Sequence, residues 1–193
     1  MEKALDGIFA LKAALNNLHQ GHPELPAPLL CAGVTTSAPL ARYSAKPTKR
    51  VGVLGLGGLG HLGVQIARAF DCKEVVVVST SDSKHAKAEM LNATRFINSR
   101  SPEQMAANAG TIDLLLVISS CRWSPNNGTC VLLALPEKPV SFVPVSLISR
   151  HIQLTGSPIG GHQITEETLH FAAKHNVRPW TEKMPMSVLP SST

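Results

Sequence analysis

Val51-Gly52-Val53-Leu54-Gly55-Leu56-Gly57-Gly58-Leu59-Gly60-His61 carries the strongest structural signal in this sequence. Val51 to Leu54 is an apolar run with the length of a buried strand, and Gly55 to Gly60 spells GxGxxG. His61 to Phe70 then brings Leu62, Ile66, Ala67 and Phe70 to one side of a helix. A lone GxGxxG is weak evidence, because glycine-rich loops recur for steric reasons alone. Here it follows a strand and opens a helix, and a second strand ends about 24 positions after Gly55. That context favours a dinucleotide-binding turn, with Gly55 for the tight bend, Gly57 for close approach of a pyrophosphate, and Gly60 for close helix–strand packing. The anion then meets free N–H groups at the positive end of the helix starting near Gly58.

Outward from this stretch, strands and helices alternate. Val75 to Val78 is a second strand, Lys84 to Leu91 a short helix and Arg95 to Asn98 a third strand. Pro102 to Ala109 is a helix with proline in its first turn, and Ile112 to Ile118 a fourth strand. Val131 to Leu135 and Ile152 to Thr155 are further strands, followed by a helix from Thr165 to His175. Unbroken valine, leucine and isoleucine runs, in place of period-two patterning, predict a parallel sheet covered on both faces. One join fits poorly: Cys121 to Thr129 is short for a parallel crossover, which predicts either a missing helix or an irregular pairing. Upstream, Leu5, Ile8, Leu11, Leu15 and Leu18 predict an amphipathic helix over Met1 to His19. A proline-rich connection, the small-residue stretch Leu29 to Leu40 and a Lys46 to Arg50 linker follow. The expected organisation is an N-terminal helix and linker over 1–25, a nucleotide-binding domain over 26–179 and a tail over 180–193.

At 193 residues the chain suits one full-sized domain, since domains usually take about 100–200 residues. No apolar run approaches the roughly 18 residues needed to span a bilayer, and the start lacks a signal-peptide pattern, so the cytoplasm is the expected compartment. Cys31, Cys72, Cys121 and Cys130 form no CxxC pair, which argues against a disulfide framework or a zinc cluster. A net charge of +5 hints at nucleic acid, but the cations are scattered and aromatics make up only 4%, so a small-molecule partner is favoured over nucleic acid or membrane.

The end of the second strand sorts the nicotinamide cofactors, because an acidic residue there binds the ribose 2′-hydroxyl of NAD and repels a 2′-phosphate. This chain has Ser79-Thr80-Ser81 there, with Lys84 one turn on. Hydroxyl donors and a cation favour NADP, while Asp82 in the same loop weighs against it.

These residues resemble the zinc-type medium-chain alcohol dehydrogenases, in particular the NADP-dependent cinnamyl alcohol dehydrogenase branch. The resemblance runs from about Pro26 to Pro179. It is carried by Ala27-Pro28-Leu29-Leu30-Cys31-Ala32-Gly33-Val34-Thr35, by Val53 to His61, by Ser79-Thr80-Ser81 with Lys84, and by Gly156-Ser157-Pro158-Ile159-Gly160-Gly161. It implies a Rossmann-type doubly wound α/β sheet that binds NADP(H) through Gly55, Leu56, Gly57, Gly58, Leu59, Gly60, Ser79, Thr80, Ser81 and Lys84, with Ser157, Pro158 and Ile159 beside the nicotinamide. The implied reaction is hydride transfer between NADPH and an aldehyde or alcohol, with zinc polarising the oxygen. Cys31 matches one of three zinc ligands; read from the residues alone it is a small buried cysteine. The resemblance also implies homodimerisation along the late sheet edge, around Ile152 to Ile159.

Departures from the family pattern shape the functional expectation. The chain shows no counterpart of the N-terminal GroES-like catalytic domain that carries the other zinc ligands, the proton relay and a four-cysteine structural zinc cluster. His19 and His22 sit in no matching motif. Val117 and Ile118 stand where an Asp-Thr pair is usual, and Ala134 replaces a glycine near the nicotinamide, so the adenosine half is better kept than the nicotinamide half. The remaining histidines, among them His61, read as surface or capping residues without a catalytic role. The expectation is an oxidoreductase-family NADP(H)-binding protein, incomplete as an enzyme on its own. The alternatives are a non-catalytic nucleotide-binding or interaction protein derived from that family, and a zinc-independent NADPH reductase.

Overall fold

The computed structural model describes residues 26–118, 127–134 and 144–182. A helical turn at Pro26–Pro28 runs through a π-helical turn, Leu29–Gly33, into α1, Val34–Arg42. Then come β1 (Arg50–Leu54), α2 (Gly60–Ala69), β2 (Glu74–Ser79), a 3₁₀ turn (Asp82–Lys84), α3 (His85–Met90), β3 (Arg95–Asn98) and α4 (Pro102–Ala107). The second half adds β4 (Leu114–Val117), β5 (Thr129–Leu132), α5 (Pro144–Ser149), β6 (Gln153–Gly156) and α6 (His162–Lys174). The strands form a six-stranded sheet in the order β3-β2-β1-β4-β5-β6, every pairing parallel. This is the Rossmann order, in which the chain leaves β1 toward one edge and later returns to its other side, opening a crevice beyond the carboxyl ends of β1 and β4.

The apolar runs behave as fully buried strands because both faces are covered. Along β2, Val75 and Val77 join Val51, Val53, Leu62, Ile66, Leu116 and Leu169 on one face, while Val76 and Val78 join Leu54, Ile97, Ile112 and Leu115 on the other. All four valines are fully buried, and each such side chain contributes about 1.5–3 kcal/mol relative to exposure. No described helix is long and apolar enough to cross a membrane.

The structure departs from the sequence reading in two places and adds one helix. The stretch Leu29 to Leu40, rich in weak helix formers, is helical, because Leu29, Val34 and Leu40 are fully buried and tertiary packing overrides propensity. Of the two expectations for the short join, a missing helix or an irregular pairing, the pairing is regular: Leu114 to Val117 face Thr129 to Leu132 in parallel register, the intervening residues 119–126 lying outside the described part. Helix α5 had no clear sequence signal. The helix expected over Met1 to His19 lies outside the described residues.

Arg50 and Asp113 tie the starts of β1 and β4. The Arg50 backbone N–H donates to Asp113 Oδ2 at 2.8 Å, and its guanidinium donates to Oδ2 at 3.2 Å and to Oδ1 at 2.9 Å. The Arg50 hydrogen bonds hold the Asp113 carboxyl below its ordinary range, against the opposing effect of burial. A depressed folded value stabilises the fold above the unfolded value and loses that contribution as acid protonates the group. Asp113→Asn is therefore expected to cost about 1 kcal/mol at neutral pH. Its thermal midpoint should also fall less steeply than the native protein's below about pH 4, as followed by circular dichroism.

Candidate cofactor-binding site

Because all strands are parallel, the segments that follow β1, β2, β5 and β6 emerge at one edge of the sheet. The glycine turn lies at its centre. Gly55 adopts φ +102°, a region open to glycine, and its N–H donates to Val78 O at 2.8 Å, prolonging the β1–β2 ladder by one bond. A Cβ on Gly60 would lie 2.0 Å from Gly55 O, so no side chain fits there. A Cβ on Gly57 or Gly58 would meet nothing within 4 Å. The turn is closed on its inner side and open on its outer side at Gly57 and Gly58, beside the start of α2, whose His61 N–H donates to Gly57 O at 3.1 Å. Leu56, buried among core residues, pins the turn from below, and Leu59 leads into the helix.

Ser79 ends β2, buried, and its carbonyl accepts from the Ser99 N–H at 2.8 Å. Thr80 and Ser81 follow, with Ser81 Oγ 2.7 Å from Ser83 Oγ and accepting from the Ser83 N–H at 3.3 Å. Lys84 reaches back across the crevice: its Nζ donates to Leu56 O at 2.7 Å. The expected 2′-phosphate residues and the expected pyrophosphate turn are thereby brought together. Asp82 is turned to β3, its Oδ1 accepting from Asn98 Nδ2 at 2.9 Å.

Ser157, Pro158 and Ile159 follow β6 at the same edge. Ser157 is buried, with its N–H donating to Leu132 O at 3.1 Å, and Ile159 is half exposed. A Cβ on Gly160 would sit 2.7 Å from Ile164 and 2.8 Å from Val34, which packs this segment against α6 and α1.

Cys31 corrects the expectation of a buried cysteine: it is exposed, in the π-helical turn before α1. Among the described residues no group of three or more His, Cys, Asp or Glu could hold a metal. A zinc ion therefore does not fit the described residues by themselves; His19 and His22 lie outside them.

His61 was missed as a structural element of the site. It is buried, not a surface residue, and stacks on Trp180 with 5.7 Å between ring centres. Its Nε2 accepts from the Trp180 N–H at 3.0 Å, which leaves the proton on Nδ1 to donate to Gly57 O at 3.1 Å. Burial lowers its pKa, and the carbonyl contacts oppose that only in part, so the ring is neutral. Gln65 adds two bonds to Arg178, accepting from its N–H at 3.0 Å and donating to its carbonyl at 2.9 Å. The segment after α6 is thus stapled to α2 beside the glycine turn. Only the position of His61 directly after GxGxxG could have hinted at this. A shallow cavity of about 410 Å³, between Gln65, Arg68, Asn92 and His175, lies along the second half of α2, away from the turn.

The zinc-binding dehydrogenase family model matches residues 58–174. The chain belongs to the zinc-binding dehydrogenase family. It is 43% identical over 173 residues to the 8-hydroxygeraniol dehydrogenase of Catharanthus roseus, covering 84% of this chain and 48% of that protein. Among solved structures, a cinnamyl alcohol dehydrogenase from Sorghum bicolor superposes with a TM-score of 0.79 at 33% identity, over 83% of this chain and 48% of that one. The CAD from Helicobacter pylori, complexed with NADP(H), does so with a TM-score of 0.68 at 30% identity, over 80% and 46%. The chain spans about half the length of the curated relatives it matches. The fold of this dehydrogenase part is the family's Rossmann-like cofactor domain.

The two kinds of glycine in the turn respond differently to a methyl group. Gly60→Ala is expected to cost about 3 kcal/mol or more, because the obstructing atom is backbone and cannot move aside. Gly57→Ala should leave stability within about 0.5 kcal/mol of native, because its Cβ meets open space. Urea denaturation of the two variants checks the contrast.

Proposed function

We propose that this part of the dehydrogenase binds NADP(H) for hydride exchange between the cofactor and an alcohol or aldehyde. The observation that carries the reading is the open face of Gly57 and Gly58 at the start of α2, with the Lys84 ammonium 2.7 Å from Leu56 O across the same crevice. An anionic group fits such a cradle: a methyl at either glycine would fill space that is empty, and the helix end supplies N–H donors and positive potential. Gly57 and Gly58 would receive the pyrophosphate, and Leu56 and Leu59 hold the turn between them. Ser79, Thr80, Ser81 and Lys84 would receive the 2′-phosphate, with hydroxyl donors and one cation in place of the acidic residue that selects NAD. Ser157, Pro158 and Ile159 would border the nicotinamide end of the crevice.

The bound cofactor supplies or accepts a hydride at a carbonyl or alcohol carbon. The residues of this chain bind and orient it, and the neutral His61 fixes the turn without exchanging a proton with substrate. The names of the relatives, 8-hydroxygeraniol dehydrogenase and cinnamyl alcohol dehydrogenase among them, support an alcohol or aldehyde as the reacting partner. In this reading Cys31 is one zinc ligand, and turnover needs further ligands that the described residues do not gather around it. The outer edge of β6, flanked by the exposed Val145 and Ile148 of α5, is the proposed contact with a second copy.

Titration with NADPH and NADH, followed by cofactor fluorescence, tests the cofactor assignment. The native chain is expected to bind NADPH more tightly than NADH, and Ser79→Asp to lose that preference. Gly57→Ala should weaken both cofactors by about tenfold while leaving the fold intact. Equal, weak or absent binding of both cofactors by the native chain would overturn the assignment.

A further inference from the structure

Asp82 is the one feature of the β2 loop that argues against a 2′-phosphate. It stands two residues before Lys84, in the 3₁₀ turn Asp82–Lys84, and both charges border the place assigned to that phosphate. Each is held by a different element. Lys84 Nζ donates to Leu56 O on the glycine turn at 2.7 Å, and Asp82 Oδ1 accepts from Asn98 Nδ2 at the end of β3 at 2.9 Å. Asn98 is itself fixed. It pairs with Ser79 in the sheet register, its N–H donates to Gln104 Oε1 at 2.8 Å, and its Oδ1 accepts from the Arg100 N–H at 2.9 Å. With its oxygen occupied by Arg100, the amide has its NH₂ group aimed at Asp82, the orientation a carboxylate requires.

We propose that Asn98 is a specificity-determining positioning residue: it draws the Asp82 carboxylate to the β3 side and so leaves the Lys84 ammonium to a cofactor 2′-phosphate. The proposal rests on the NADP(H) reading above and adds to it a residue outside the glycine turn and outside the β2 loop. Without the Asn98 amide, the Asp82 carboxylate is free to swing toward Lys84. There it would cancel the cation and repel the dianionic phosphate. NADH carries no 2′-phosphate and would not sense the change, whereas a general loosening of the β2–β3 edge would weaken both cofactors alike.

The test is a double-mutant comparison by fluorescence titration of the full chain at low ionic strength, with NADPH and NADH as probes. Asn98→Ala is expected to weaken NADPH about fivefold, the worth of one exposed charge contact, and to leave NADH within about twofold. In an Asp82→Asn background, the same Asn98→Ala change should alter neither. Asn98→Leu, which keeps the side-chain volume, should reproduce the alanine result if alanine lowers the thermal midpoint. Loss of both cofactors together, an equal NADPH loss in the Asp82→Asn background, or unchanged NADPH binding would each overturn the role of Asn98 while the native chain still binds NADPH. A native chain that binds neither cofactor would instead overturn the NADP(H) reading, and this role with it.

Discussion

The absence of a side chain at Gly60, beside the Gly55 carbonyl, sets the geometry around which this domain is built. A Cβ at Gly60 would come within 2.0 Å of that oxygen, so the turn from β1 into α2 can be this tight only with glycine. The tight turn lets α2 begin directly over the carboxyl end of β1. From there its Leu62, Val64 and Ile66 reach the strand valines, and its N-terminus lies at the switch point. Packing and anion binding are thus set by one steric requirement. Gly55 at φ +102° satisfies the same requirement from the strand side.

Around that turn, side chains from distant segments act as braces. Lys84 reaches Leu56 O from the loop after β2, and the neutral His61 joins Gly57 O to the Trp180 N–H after α6. The turn is held from both sides while its outer face stays open. Such a site is preorganised for an anion, since little reordering of the backbone is needed when one arrives. Asp82 and Asn98 extend the same logic to charge: a carboxylate in the wrong place for a phosphate is tolerated because a neighbouring strand holds it elsewhere.

Much of this fold was legible because its signals are local. Four consecutive valines, 75–78, β-branched and followed by a polar turn, read as a strand covered on both faces, and all four are buried in β2. GxGxxG between a strand and a helix carried the turn. What the sequence hid depends on tertiary contact. Leu29 to Leu40 gave no helical signal because Thr35, Thr36, Ser37 and Pro39 favour helix poorly, yet Leu29 and Leu40 are core. His61 looked like a surface residue because its partner Trp180 lies 119 positions away. Cys31 was read as buried by the habit of its residue type, but the π-helical turn leaves it exposed. The Asp82–Asn98 contact spans a strand crossover, which no periodicity reports.

Amide hydrogen exchange with and without NADPH decides whether the braced glycine turn and the loop after β2 form one phosphate-binding crevice. Such a crevice slows exchange in two segments at once, Gly57 to His61 and Ser79 to Lys84, with NADH protecting the first segment and sparing the second. Unchanged exchange in both segments on addition of NADPH, or protection confined to residues away from the carboxyl ends of β1 and β2, would contradict it.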